Sequence, residues 1–101
     1  MAVVVFSEWD DAKDEARLRK KAEWDKGKEK GMRWWQEKIK EGVVKSVSGW
    51  TDGTGHNIVW VELENIEKFS ELWNDETYHE LSKEGLPLVD NYRIRILRLV
   101  K

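Results

Sequence analysis

Two arginines, Arg93 and Arg95, stand two residues apart in a chain that also carries seven tryptophans, at positions 9, 24, 34, 35, 50, 60 and 73. A guanidinium offers paired N–H donors that match a carboxylate, and an indole offers a flat surface for a ring. Arg93 and Arg95 with Trp50, Trp60 or Trp73 therefore describe a site for a small aromatic or carboxylated molecule. The same arginines also suit exposed sheet charge, or an inter-subunit salt bridge with Glu62 or Glu8. One small core has little room for seven indoles, so some of them are expected to face a ligand or a partner.

The other groups capable of chemistry say less. His56 falls in a turn-rich loop and reads as a solvated residue. His79 reads as a surface residue beside Glu80, and it stays among the ligand-binding candidates. The run His79-Glu80-Leu81-Ser82-Lys83 ends in Lys where a zinc-binding helix needs its second His, so no metal site is expected. No cofactor is expected either. Gly53-Thr54-Gly55 joins two strands rather than a strand and a helix, which makes it a hairpin and not a phosphate cradle.

Composition bounds the alternatives. The 101 residues suit one domain spanning 1–101. There is no cysteine, which excludes disulfides, thiolate nucleophiles and Cys-ligated zinc. Lys+Arg total 18 against Asp+Glu 20, a net charge of -2 that argues against a nucleic-acid partner. No apolar run approaches membrane-spanning length, so neither a membrane partner nor a signal peptide is expected, and a cytoplasmic location follows by default.

The elements that must position these groups follow from period and punctuation. Residues 2–9 are β-branched and read as a first strand. Asp10 or Asp11 can cap a helical stretch running to about Glu41-Gly42, with Leu18, Ala22, Met32, Trp35 and Ile39 as its apolar stripe and a soft point near Gly27. Trp34 and Trp35 are adjacent and project about 100° apart, so one is expected on the sheet and the other on a neighbour. Val43–Trp50 and Ile58–Leu63 read as strands around the hairpin loop. Asn65 caps a helix with Ile66, Phe69 and Trp73 on one face. Asp75 restarts a short helix with Tyr78 and Leu81 inward, Gly85 ends it, and Tyr92–Val100 is the last strand.

That order is βαββαβ, an α+β chain with both helical segments on one side of a four-stranded antiparallel sheet. Alternation assigns Val3, Val5, Val43, Val47, Val59, Val61, Leu63, Ile94 and Ile96 to the helix side. Phe6, Glu8, Ser46, Ser48, Trp50, Ile58, Trp60, Glu62, Arg93, Arg95 and Leu97 fall on the other. That second face is too polar for a dry core and too apolar for bare solvent.

In element order the whole chain resembles the dimeric α/β-barrel superfamily of ferredoxin-like domains, which includes antibiotic-biosynthesis-monooxygenase-type small proteins. The resemblance is most specific over Phe69–Leu81 and in Pro87-Leu88-Val89 leading into the last strand. It implies a homodimer whose two sheets pack face to face, and at family level a cofactor-free oxygenase or isomerase. The residues of the haem-degrading branch do not carry over. Ser7 stands where that branch has Asn, His79 lies about a turn early, and Trp73 is offset by one. Two other readings stay open: a non-catalytic assembly or ligand-sensing module, and an RNA-binding sheet. The last rests on His56–Leu63, which resembles the third strand of an RNA-recognition motif with Trp60 and Ile58 at the stacking positions but without its glycines.

Overall fold

The computed structural model describes residues 2–27 and 29–98. The chain forms β1 (Val3–Asp11), α1 (Glu15–Lys26), α2 (Glu29–Lys40), β2 (Ser46–Thr51), β3 (His56–Leu63), α3 (Ile66–Trp73), α4 (Glu76–Gly85), a 3-10 turn (Leu86–Leu88) and β4 (Val89–Arg98). The four strands make one antiparallel sheet in the order β2-β3-β1-β4, the ferredoxin-like α+β arrangement expected from the sequence.

The register fixes the faces. Val47–Val61–Val5–Ile96 and Gly49–Val59–Ser7–Ile94 are rows across the helix side, with Leu63 opposite Val3 at its end. Val3, Val5, Val61 and Leu63 are buried there with Trp34, Val44 and Leu72, and Phe69, Tyr78 and Leu81 pack against them. On the other side the rows are Ser48–Trp60–Phe6–Arg95 and Trp50–Ile58–Glu8–Arg93. Both faces therefore carry the residues that alternation assigned to them, apart from Val43.

Several boundaries differ, each for a local reason. Asp10 and Asp11 do not cap a helix; they continue β1, paired with Asp90 and Val89. Asp14 is the cap, accepting the Arg17 amide at 3.0 Å. Val43 and Val44 are not in a strand, because both amides donate to the Lys38 carbonyl and close the end of α2. Gly42, with φ +82°, supplies the left-handed residue that this reversal needs. Val44 then drops into the core. The helical stretch divides into α1 and α2 around residue 28, which lies outside the described residues, as do residues 99–100 of the expected last strand.

The helix stripe also differs. Leu18, Ala22, Met32 and Ile39 are exposed, and α2 instead turns Gly31, Trp34, Trp35 and Lys38 inward. Trp34 and Trp35 do not divide between sheet and neighbour. They meet edge to face at 4.7 Å and both reach the core cluster, which the wide inward face of α2 accommodates. Trp34 is pinned there by its indole N–H, 3.1 Å from the Asp75 carboxylate.

Candidate functional site

The apolar pattern of the helix side stops one row short of the sheet's end. Beyond Val5 and Val61 the same face continues as Ser7, Trp9, Val59 and Asn57, where small, polar and flat side chains replace branched ones. A bulge completes this region: β1 has only Trp9 between Glu8 and Asp10, while β4 has Asn91 and Tyr92 between their partners. Asn91 takes φ +55° there, and its side chain donates to Asp10 at 2.8 Å. The bulge leaves Tyr92 stacked on Trp9, ring centroids 6.5 Å apart.

Between this part of the sheet and the helices lies a cavity of about 680 Å³. Ser7, Trp9, Asn57, Val59 and Tyr92 line it from the sheet, Trp34 and Trp35 from α2, Tyr78 and Leu81 from α4, and Trp24 from α1. Trp24 is held at the mouth. Its N–H donates to Glu84 at 3.1 Å, and its ring packs closely on Gly85, where a Cβ would come within 3.1 Å and push the indole aside by a few tenths of an ångström. Arg17 ties α1 to the sheet, donating to Asp90 at 2.8 Å.

A chain of hydroxyls runs through the cavity. Tyr78 hydrogen-bonds Tyr92, and the Tyr92 hydroxyl donates to Ser7 Oγ at 3.5 Å. Burial, then the nearby Tyr92, pushes the Tyr78 phenol well above its ordinary value, so it is a neutral hydrogen-bonding group rather than a base. No His lines the cavity among the described residues, so Ser7 has no imidazole to activate it. Among the described residues the charges at the rim are Glu23, Asp25, Glu84 and Lys21, the last 2.7 Å from Asp25. Such a site can hold and orient a flat molecule and hydrogen-bond one of its oxygens.

The eight candidates named from the sequence do not converge. Phe6, Trp50, Trp60, Glu62, Arg93 and Arg95 share the open face of the sheet. There Phe6 meets Trp60 edge to face at 6.0 Å, and Arg95 lies over the Phe6 ring at 5.2 Å. Trp73 and His79 lie on the helix side, 5.9 Å apart, with Trp73 also 5.9 Å from Tyr78. The sheet separates these two groups. The cavity residues Trp9, Trp34, Trp35, Asn57, Tyr78 and Tyr92 were not among the eight. Their signal was the break in apolar alternation at Ser7, Trp9 and Asn57.

His56 is not a solvated loop residue. It opens β3, opposite Asp10, with Nδ1 2.6 Å from that carboxylate. Among the described residues no group of three or more His, Asp or Glu is placed to hold a metal ion, and no helix is long and apolar enough to cross a membrane.

No family model and no curated protein matches the sequence. Solved structures do match the fold. A candidate antibiotic biosynthesis monooxygenase of Deinococcus radiodurans aligns with TM-score 0.73 at 11% identity, over 98% of this chain and 93% of its own. A dimeric protein of unknown function and ferredoxin-like fold from Bacteroides fragilis gives 0.68 at 11%, over 96% of each. An uncharacterized NIPSNAP-like domain protein from Burkholderia xenovorans gives 0.58 at 16%, over 98% of this chain and 85% of that one. At such identities the likeness speaks for the fold alone, which is the ferredoxin-like fold shared with proteins of the antibiotic-biosynthesis-monooxygenase type.

Proposed function

We propose that the chain acts as a homodimer paired through the open face of its sheet, each protomer binding a small, uncharged aromatic molecule between sheet and helices. The cavity carries the ligand half of this reading. About 680 Å³, with six aromatic side chains and the hydroxyls of Ser7, Tyr78 and Tyr92 in its wall, fits a flat ligand bearing an oxygen. The acidic rim favours a neutral ligand over a carboxylated one, since Arg93 and Arg95 are on the opposite face. The dimer half is supported by the exposure of Trp50 (66%), Leu97 (40%) and Trp60 (38%) on one face of the sheet. The Bacteroides fragilis protein of this fold is itself described as dimeric.

A cofactor-free oxygenase or isomerase is the catalytic form of this reading, and a ligand-sensing module is the non-catalytic one. An RNA-binding sheet has less support, because among the described residues the open face sets the carboxylates of Glu8, Asp10 and Glu62 against two arginines. Tryptophan fluorescence titrated with 2-naphthol tests the ligand half. Saturable quenching is expected in the wild type and its weakening in Leu81→Trp, which pushes a bulky ring into the cavity from α4. A flat response in the wild type would sink it. Oxygen uptake in the presence of bound naphthol separates the oxygenase from the sensor. A monomer by sedimentation at micromolar concentration would overturn the dimer.

A further inference from the structure

The open face carries a titratable cluster that the cavity does not use. His56 Nδ1 lies 2.6 Å from Asp10 and Nε2 lies 3.7 Å from Glu8, whose carboxylate also stands 3.6 Å from Arg95. The second oxygen of Asp10 accepts from Asn91 at 2.8 Å. From the hairpin, Asp52 accepts the His56 backbone amide at 3.4 Å. Arg93 is paired with Glu8 across the strands, and Asp90, opposite Asp10, is neutralised by Arg17 at 2.8 Å. The helices cover the other side of the sheet.

The charge count of this face turns on one proton. Among the described residues Glu8, Asp10, Glu62 and Asp52, which meets His56 from the hairpin, set four negative charges against two positive charges from Arg93 and Arg95. With a neutral imidazole these groups carry an excess of two negative charges; with an imidazolium they carry one. Pressing two such faces together buries twice that imbalance, and an uncompensated charge is costly to remove from water. We propose that self-association through the open face is proton-linked, the dimer being tightest when His56 is protonated and loosening as it loses its proton. This rests on the homodimer reading above.

The geometry already favours the charged imidazole in the single chain. The hydrogen bond from Asp10 raises the His56 pKa above 6.5 despite some desolvation, and the charges of Asp10, Glu8 and Asp52 add to it. Dimerisation that prefers imidazolium takes up protons, so affinity falls as pH rises through the His56 value, with up to one proton per protomer.

Sedimentation equilibrium between pH 5.5 and 9, at fixed ionic strength so that screening stays constant, reads this directly. The wild-type Kd is expected to rise roughly tenfold or more across that range, and His56→Gln to give a weak dimer with little pH dependence. Asp10→Asn makes a second test, because it removes the carboxylate that meets His56 Nδ1. His56 then loses its proton at lower pH, so the fall in affinity should move to lower pH than in the wild type. A wild-type dimer with a pH-independent Kd would overturn the inference and leave the dimer standing. So would an Asp10→Asn variant whose fall in affinity stays at the wild-type pH while its circular dichroism stays native. A monomer at every pH would remove both readings.

Discussion

The two faces of this sheet are made by alternate residues of the same strands, and they solve opposite problems. Toward the helices, Val3, Val5, Val61 and Leu63 are buried, and their content is accounted for by the core they form. Away from the helices, the neighbours of those residues are Val4, Phe6, Trp60 and Glu62, which no helix covers among the described residues. An apolar row that is buried stabilises the fold. An apolar row that is left open, with charges set between its rings, has an energetic use only when something else arrives. The cavity shows a third condition, in which the covered face itself gives up packing for space at Ser7, Trp9 and Asn57.

Substitutions of large side chains on the two faces should separate these roles. Leu63 is fully buried, so Leu63→Ala should cost about 2–5 kcal/mol in urea unfolding, the range for a truncated core leucine. Trp60→Ala removes a bigger side chain from the open face. In dilute solution, where the chain is monomeric, it should cost less than Leu63→Ala, about 1–2 kcal/mol, because the residue keeps 38% of its surface in water and its loss leaves no enclosed cavity. In the dimer the same change should weaken association by about 2 kcal/mol, roughly thirtyfold in Kd, as for a central interface tryptophan. Equal losses for Leu63→Ala and Trp60→Ala in the dilute regime would erase the distinction between the faces.

Asp75 tests how the covered side is held in place. Its carboxylate caps α4 through the amides of Thr77 and Tyr78, accepts the Trp34 indole, and lies 3.1 Å from Lys38 Nζ. Asp75→Ala removes the cap and leaves the Trp34 N–H without its partner, which should cost about 2 kcal/mol. Burial pushes the Asp75 carboxyl up, but Lys38 and the two amides outweigh it and hold the value below 3.8. A depressed carboxyl stabilises the fold above its unfolded value and stops doing so as pH falls through the folded one. Wild-type stability should therefore drop below about pH 4 by an increment that Asp75→Ala lacks.

The parts legible in the sequence were those ruled by period. Alternation in Val3–Phe6 and Val59–Leu63 placed both faces, and Asn65 and Asp75 announced their helices as side chains that outcompete the missing turn. Caps were ambiguous where several acids ran together: Asp10, Asp11 and Asp14 offer the same oxygen, and the pairing of β1 with β4 decides among them. The candidate site read from the sequence differs from the cavity for a related reason. Arginines and tryptophans two apart on a strand are visible as a pattern, whereas the cavity is assembled from Trp34, Tyr78 and Tyr92 on three elements. The bulge at Asn91 brings Tyr92 against Trp9, and no local periodicity encodes it.

The smallest expected effect lies inside the cavity, at Tyr78. Its hydroxyl is one end of the chain through Tyr92 to Ser7, while its ring packs against the core with Trp34 and Trp35. Tyr78→Phe keeps the ring and removes the oxygen. It should leave urea unfolding within about 1 kcal/mol and weaken 2-naphthol binding by about fivefold, the value of one neutral hydrogen bond. In an alkaline absorbance titration the wild type should show a phenol ionising well above 10, and Tyr78→Phe should lack that step. Unchanged naphthol affinity in Tyr78→Phe, alongside weakened binding in Leu81→Trp, would assign the cavity a purely apolar hold on its ligand. In that case the hydroxyl chain would serve the packing of β4 against α4, and the cavity would hold its ligand by shape and apolar contact alone.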